Sequence, residues 1–241
     1  MILDIDFGNT RLKWREYVSC RPTSPAQAVE MASVSADMTL PLSMHPERIR
    51  IASVRGEAED DALVAWSRQQ FGITPEFART ARFRLGLANG YEHPEKLGVD
   101  RWLAMLAAFH FTGGAQVVFD FGSAMTADSV DREGRHTGGY ICPGLTMMAQ
   151  SLTEKTSLVR FKSQRSGGFE PGRNTASGVR GGVLLAAAGF ANEAWSRLSA
   201  ETGAPSALLT GGDADTVSPH LRFPFLIKPD LVLDGLSIAI P

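Results

Sequence analysis

The chain reads as an α/β protein built from two related halves, and three observations carry that reading. Strand-like apolar runs alternate with amphipathic helical stretches from one end to the other, the pattern of strands and helices packed in layers. One short motif occurs twice: Ile5-Asp6-Phe7-Gly8-Asn9-Thr10 returns as Phe119-Asp120-Phe121-Gly122-Ser123-Ala124, with Asp120 standing 114 positions after Asp6. Each copy closes an apolar run, over 1–5 and 116–119, and hands Asp-Phe-Gly to a small amide or hydroxyl residue. A carboxylate at a strand end can face a cation, while the bare glycine beside it lets backbone approach phosphate oxygens. Two such loops predict two half-domains closing on a nucleotide.

Taken in order, 2–5 and 11–18 predict a β-hairpin whose second arm alternates polar and apolar positions. A further strand over 49–54 leads into a helix over 57–71, with Ala58, Ala62, Ala65, Trp66 and Phe71 recurring near helical spacing. Positions 79–96 read as irregular, with Asn89-Gly90 as a turn signal and Pro94 as a breaker. Leu, Ala and Met then fill a helix over 99–111. The second half starts with a strand over 117–120 and a hairpin, 126–130 with 136–141, around Asp131-Arg132-Glu133-Gly134. Asp128 and Asp131 are expected to face solvent there or to cap the turn. After Pro143-Gly144 comes a helix over 145–152, then a loop over 163–172. The longest helix covers 174–198, with Val179, Val183, Ala187, Phe190, Ala194 and Leu198 on one stripe that suits either a core or a dimer interface. A strand over 207–210 runs into Gly211-Gly212-Asp213, and 231–240 reads as a helix packed on a sheet. The expected domains are 1–113 and 114–241.

Composition narrows the class. In 241 residues, 44% are hydrophobic and 21% charged, which suits an ordinary globular protein with ample core. A net charge of −2 gives no electrostatic reason to expect nucleic acid or an anionic membrane as partner. Cys20 and Cys142 form no C-x-x-C pair, which points to a reducing cytoplasm rather than a disulfide framework or zinc site. Asp4 and Asp6 interrupt the first apolar run, unlike a signal peptide, and 102–111 is too short to span a bilayer. None of the five histidines pairs with Cys or Ser at nucleophile spacing or makes an H-x-x-x-H pattern, so neither covalent catalysis nor zinc is expected.

Four motifs in one order carry a family resemblance. Asp6-Phe7-Gly8-Asn9-Thr10, Gly98-Val99-Asp100-Arg101, Asp120-Phe121-Gly122-Ser123 and Asn174-Thr175-Ala176-Ser177-Gly178, with Gly138-Gly139-Tyr140-Ile141-Cys142-Pro143-Gly144, resemble a type III pantothenate kinase over essentially the whole chain. The resemblance implies two duplicated ribonuclease-H-like domains of the actin/sugar-kinase/Hsp70-like (ASKHA) superfold. It implies ATP-dependent phosphorylation of pantothenate, the first step of coenzyme A biosynthesis, with Mg²⁺ carried by ATP and an activating K⁺ or NH₄⁺. It also implies a cytoplasmic homodimer. A regulatory protein on the same scaffold, or a kinase for another alcohol such as a sugar, is the alternative.

On that resemblance Asp6 anchors the magnesium–phosphate complex, and the run Asp6, Phe7, Gly8, Asn9, Thr10, Arg11, Leu12 and Lys13 forms the nucleotide loop. A plain turn capped by Asp6 is the other reading of those residues. Asp100 is the expected general base, at a helix N-terminus that favours its ionised form, and Arg101 meets the substrate carboxylate. Their plain alternatives are a helix N-cap and a solvated charge. Tyr91, Gly98, Val99 and Thr175 complete the substrate site, Thr175 reaching pantothenate on the neighbouring subunit; by itself it reads as an N-cap. Asp120 is the expected monovalent-cation ligand and Ser123 a nucleotide contact, with serine where the family pattern has threonine.

Overall fold

The structure, a computed structural model, describes residues 1–19, 21–31, 33–155, 169–203 and 205–241. Cys20 and most of the expected loop over 163–172 lie outside the described residues. The chain divides into two compact units, Met1–Phe111 with Asp230–Pro241, and Thr112–Pro229.

The first unit is built on β1 (Ile2–Phe7), β2 (Arg11–Val18), β3 (Arg21–Pro22), β4 (Gln27–Glu30), β5 (Arg48–Ser53) and, after α1 (Glu57–Phe71), β6 (Glu76–Phe77). The sheet order is β3-β2-β1-β5-β6, with β4 paired to β2. Strand periodicity assigns the two faces of β1. Leu3, Ile5 and Phe7 are fully buried in a core with Leu12, Trp14, Ile49, Ile51, Leu63 and Trp66. Asp4 and Asp6 point the other way. Helix α1 ends at Gly72, whose φ of 71° supplies the left-handed cap. Its buried face is Leu63, Trp66 and Ser67, while Ala58 and Ala65, two of the expected stripe residues, are exposed. The reason is volume: an alanine gains little by burial, so the large side chains choose the helix phase.

The segment expected to be irregular holds a small ribbon, β7 (Phe83–Arg84) with β8 (Leu87–Ala88), and a 3₁₀ turn Pro94–Lys96. Asn89 is more than a turn signal here. Buried to 8% exposure, its Nδ2 donates to the carbonyls of Ala81 and Pro94, and its Oδ1 accepts from the Tyr91 amide at 2.9 Å. Helix α2 (Val99–Thr112) follows, buried along most of its length.

The second unit contains β9 (Gln116–Phe121), β10 (Ala124–Val130), β11 (His136–Pro143), α3 (Leu145–Lys155), α4 (Thr175–Thr202), β12 (Ser206–Thr210), the short α5 (Ala214–Val217) and β13 (Leu226–Ile227). Its sheet, β11-β10-β9-β12-β13, repeats the order and strand directions of β3-β2-β1-β5-β6, two antiparallel pairings followed by two parallel ones. Val117, Phe119 and Phe121 of β9 pack on Leu184, Ala187, Ala191, Ala194 and Leu198 of α4. From Ala187 onward the expected α4 stripe is therefore core. Its N-cap is Asn174 rather than Thr175: Asn174 Oδ1 accepts from the Ser177 amide at 2.9 Å, and Ser177 Oγ accepts from the Asn174 amide.

Asp128 does not face solvent as expected. It is 2% exposed, on a strand covered from both sides, and His136 Nε2 lies 3.1 Å away. Asp131 does cap its turn, accepting from the amides of Glu133 and Arg135.

The chain's last helix, α6 (Leu231–Ala239), packs on β1 and β5. The expected division at 113 gave these residues to the second half; in the structure they belong with the first. Charge explains it. Across three neighbouring strands, Arg15, Asp4 and Arg50 occupy one row of the face that β1 turns away from its core. Asp4, fully buried, takes a bidentate contact from Arg50 at 2.6 and 2.9 Å. Arg15 Nη2 donates to Asp234 at 2.6 Å. Arg84, Arg50 and Arg48 donate to the carbonyls of Ala239, Ile240 and Pro241, at the end where a helix dipole favours cations.

Burial pushes the Asp4 carboxyl above its ordinary value, and the hydrogen bonds and charge of Arg50 oppose that shift. Arg50→Met is therefore expected to cost about 3 kcal/mol near neutral pH, as breaking a buried pair generally does. A carboxyl whose folded pKa lies above its unfolded one contributes its full stability below the unfolded value and loses it as pH rises through the folded value. The deficit of the variant should thus be smallest in the acid range and grow from there through neutral pH. Urea unfolding across that range checks it, and a deficit independent of pH would contradict it.

Candidate active site

Three groups of expected site residues are assembled by the fold, two in the first unit and one in the second. The first follows β1. Asp6 is half-buried and stands directly across the antiparallel ladder from Lys13, on one face of the sheet. The turn closes with the Gly8 amide donating to the Arg11 carbonyl at 3.0 Å, and the Met31 amide holds the Thr10 carbonyl at 3.0 Å. Asn9 and Thr10 are exposed. Phe7 and Leu12 are fully buried in the core, so they can offer a ligand only main chain. Arg11 lies 3.9 Å from Glu30. Mg²⁺ is met by one or two carboxylates, phosphate oxygens and water. Asp6 with Lys13 beside it therefore fits an ion that arrives with a nucleotide.

The second group sits at the head of α2. The Trp102 amide donates to the Gly98 carbonyl at 3.0 Å, starting the helix, and Asp100 Oδ1 accepts from the Arg101 amide at 2.7 Å. A Cβ on Gly98 would stand 2.6 Å from Asp100 Oδ1, so the glycine makes room for this carboxylate. Val99 is half-buried. Arg101 is 8% exposed, which a solvated surface charge would not be. Its Nη1 donates to the Tyr91 hydroxyl at 2.8 Å and its guanidinium lies 5.6 Å from the Tyr91 ring centroid. Asn89 fixes the Tyr91 main chain from below, so Asn89, Tyr91, Asp100 and Arg101 form one hydrogen-bonded construction.

The third group surrounds Asp120. The Gly122 amide donates to the Ala124 carbonyl, the Gly144 amide to that of Ser123, and the Asp213 amide to that of Phe121. Gly211 has φ of 92°, and a Cβ there would lie 2.4 Å from Asp120 Oδ1 and 2.5 Å from the Phe121 backbone. A Cβ on Gly144 would come within 2.2 Å of the Gly122 carbonyl. Glycine backbone at Gly211 thus packs against Asp120 where a side chain would fill the space. Thr175 heads α4 as an exposed residue.

Sequence reading missed Gly144 and Asn89 as structural parts of the site, and it missed Arg55. The guanidinium of Arg55 donates to the Asn9 carbonyl and lies 5.2 Å from the Phe7 ring centroid. Nothing local announces that contact, since 46 positions separate the partners.

The sequence model of the type III pantothenate kinase family matches residues 2–197. A type III pantothenate kinase of Pseudomonas putida (strain W619) is 38% identical over 252 residues, covering 100% of this chain and 99% of that protein. Among solved structures, a Baf family protein from Campylobacter jejuni matches with a TM-score of 0.64 at 18% identity, over 99% of this chain and 96% of that one. A ROK family glucokinase from Streptomyces griseus, solved with glucose and AMPPNP, matches with a TM-score of 0.51 at 12% identity, over 99% of this chain and 97% of that one. The fold is thus the duplicated ribonuclease-H-like fold of sugar kinases and actin-like ATPases. Among the described residues, no helix is long and apolar enough to cross a membrane.

Gly211→Ala should lower stability by about 2 kcal/mol or more, from the left-handed backbone cost and the collision with Asp120 and Phe121. Gly178→Ala, in α4 with nothing within 4 Å of the added methyl, is the control and should be neutral or stabilising. Thermal unfolding of both variants checks this; equal melting temperatures would contradict it.

Proposed function

The chain belongs to the type III pantothenate kinase family, and from that membership we propose that it phosphorylates pantothenate to 4′-phosphopantothenate with Asp100 as general base. The enzyme uses ATP with a divalent metal ion, in the first step of coenzyme A biosynthesis. The observation that supports the assignment of residues is the construction at the head of α2. A guanidinium held nearly out of solvent by Tyr91 stands next in sequence to a carboxylate that Gly98 gives room.

In this reading Arg101 takes the pantothenate carboxylate. Its planar fork suits a carboxylate, and the Tyr91 hydroxyl and ring orient it. Asp100 accepts the proton of the substrate's primary hydroxyl as its oxygen bonds to the γ-phosphorus and the bond to the ADP oxygen breaks. The transition state of phosphoryl transfer is loose, so a carboxylate of ordinary basicity suffices. Asp6, Lys13 and the Gly8–Thr10 backbone hold the phosphates, where the divalent ion, when bound, neutralises charge. Asp120 in its glycine cradle takes K⁺ or NH₄⁺, and Ser123 donates its hydroxyl to the nucleotide. Thr175 contacts the pantothenate of a second copy in a cytoplasmic homodimer.

Asp100→Asn should lower kcat by about a hundredfold or more, the usual scale of general base catalysis, while leaving ATP binding nearly intact. A coupled ADP-release assay with and without pantothenate reads this, and the same assay in potassium and in lithium salts reads the Asp120 cradle. Normal turnover in the variant would remove Asp100 from its role; absence of pantothenate-dependent ADP in the native protein would favour the regulatory reading. Light scattering on the native protein should find a dimer, and a fully active monomer would count against Thr175 acting on a second copy.

A further inference from the structure

Arg55 lies outside the nucleotide motif, in the turn between β5 and α1, yet it reaches back to the centre of the first loop. Its side chain is 17% exposed and does three things at once. Nη1 donates to the Asn9 carbonyl, the guanidinium packs on the Phe7 ring, and Nη2 stands 3.9 Å from Glu59 Oε1. Glu59 is itself engaged, its other oxygen accepting from the Val34 amide at 3.3 Å. The Val54 amide, next to Arg55, donates to the Phe7 carbonyl at 3.3 Å. The turn after β1 is thus gripped from the β5–α1 turn at Phe7 and Asn9, and through Met31 at Thr10.

The consequence follows from peptide geometry. The Asn9 carbonyl and the Thr10 N–H belong to one planar trans unit and point in opposite directions. Holding the carbonyl on the Arg55 side therefore turns the Thr10 N–H to the other side. A charged donor on the carbonyl also polarises the peptide and strengthens that N–H as a donor. We propose that Arg55 is a positioning residue for ATP: it aims and polarises the Thr10 amide toward a nucleotide phosphate oxygen. Arginine is needed because one planar group must meet a carbonyl, an aromatic face and a carboxylate together, which the point charge of lysine cannot do. The inference rests on reading the Asp6 loop as the nucleotide loop.

The test uses the full chain with Arg55→Gln, Arg55→Lys and Arg55→Ala. KM for ATP should rise about tenfold in each, the scale of one charge-assisted hydrogen bond. KM for pantothenate and the melting temperature should stay near native values. Calorimetric titration with AMPPNP should show the same loss of affinity, and guanidinium ion at low millimolar concentration should restore ATP affinity to Arg55→Ala. An unchanged KM for ATP in a folded Arg55→Gln would overturn the proposal. So would a joint rise of both KM values with a lowered melting temperature and no rescue by guanidinium, the signature of a brace for the fold alone. If Arg55→Gln fails to fold, Arg55→Lys, which keeps the charge, is judged by the same criteria. A native protein that bound no AMPPNP would instead remove the kinase reading itself, which the variants do not address.

Discussion

The first unit depends on one buried row of charge, Arg15–Asp4–Arg50, laid across β2, β1 and β5. A carboxylate with no solvent exposure in the middle of a sheet is tolerable only if it is paired and hydrogen-bonded. Arg50 meets that demand directly. Arg15 then needs a counter-charge of its own and finds it on α6, at Asp234 and, 3.6 Å away, Asp230. The requirement passes outward from strand to helix, and with the burial of Leu231, Leu233 and Leu236 it joins residues 230–241 to strands formed some two hundred positions earlier. Once α6 is seated, Gly235 lets it lie so close to α2 that a Cβ there would stand 2.0 Å from the Leu103 carbonyl. The same helix α2 carries Asp100 and Arg101 at its head, so the charged row indirectly fixes the element that bears them.

Two residues further along β1, the same sheet face carries Asp6, opposite Lys13 rather than an arginine. Asp4 and Asp6 therefore differ in burial more than in chemistry: one is sealed under α6, the other stays half-exposed at the strand end. In the second unit the strand equivalent to β1 has Val118 where β1 has Asp4, and Asp120 where it has Asp6. No charged row is needed under Val118. The strand-end aspartate has been kept in both units, and its surroundings have diverged, with a lysine across the ladder in one and a glycine cradle in the other.

How much of this could be read in the sequence follows from the range of the forces involved. The apolar runs over 2–5 and 117–120, the alternation over 11–18 and the repeated Asp-Phe-Gly are local, and they made the strands and the duplication legible, while the N-cap of α4 fell one residue before the Thr175 expected. The α1 face went astray because alanine spacing is a weak guide to burial beside Leu63 and Trp66. Asp128 was misjudged because its burial depends on β9 and β11 lying on either side, which a single strand does not reveal. The destination of α6 was hidden for the same reason: Asp4, Arg15, Arg50 and Asp234 read singly as ordinary polar residues, and only their meeting makes them a requirement. Tyr91, Asp100 and Arg101 were named through motif order and the family resemblance, whereas Asn89 and Arg55 make contacts that no motif contains.

The departure at Ser123 shows what such contacts do for a site. The loop around residue 123 is held by its backbone: Gly144 donates to its carbonyl, and Gly122 and Gly144 pack carbonyl against Cα with no room for a side chain between them. Under those constraints the main chain at 123 takes one path whichever residue stands there. A threonine methyl would restrict the rotamers of the hydroxyl; it would not alter where the hydroxyl starts from. Serine thus keeps the donor and its origin and gives up part of its orientation. That loss is an entropic one, small beside the hydrogen bond itself. The substitution falls at a position where the fold, rather than the side chain, carries most of the geometry, and the same constraint at Gly211 leaves no such freedom.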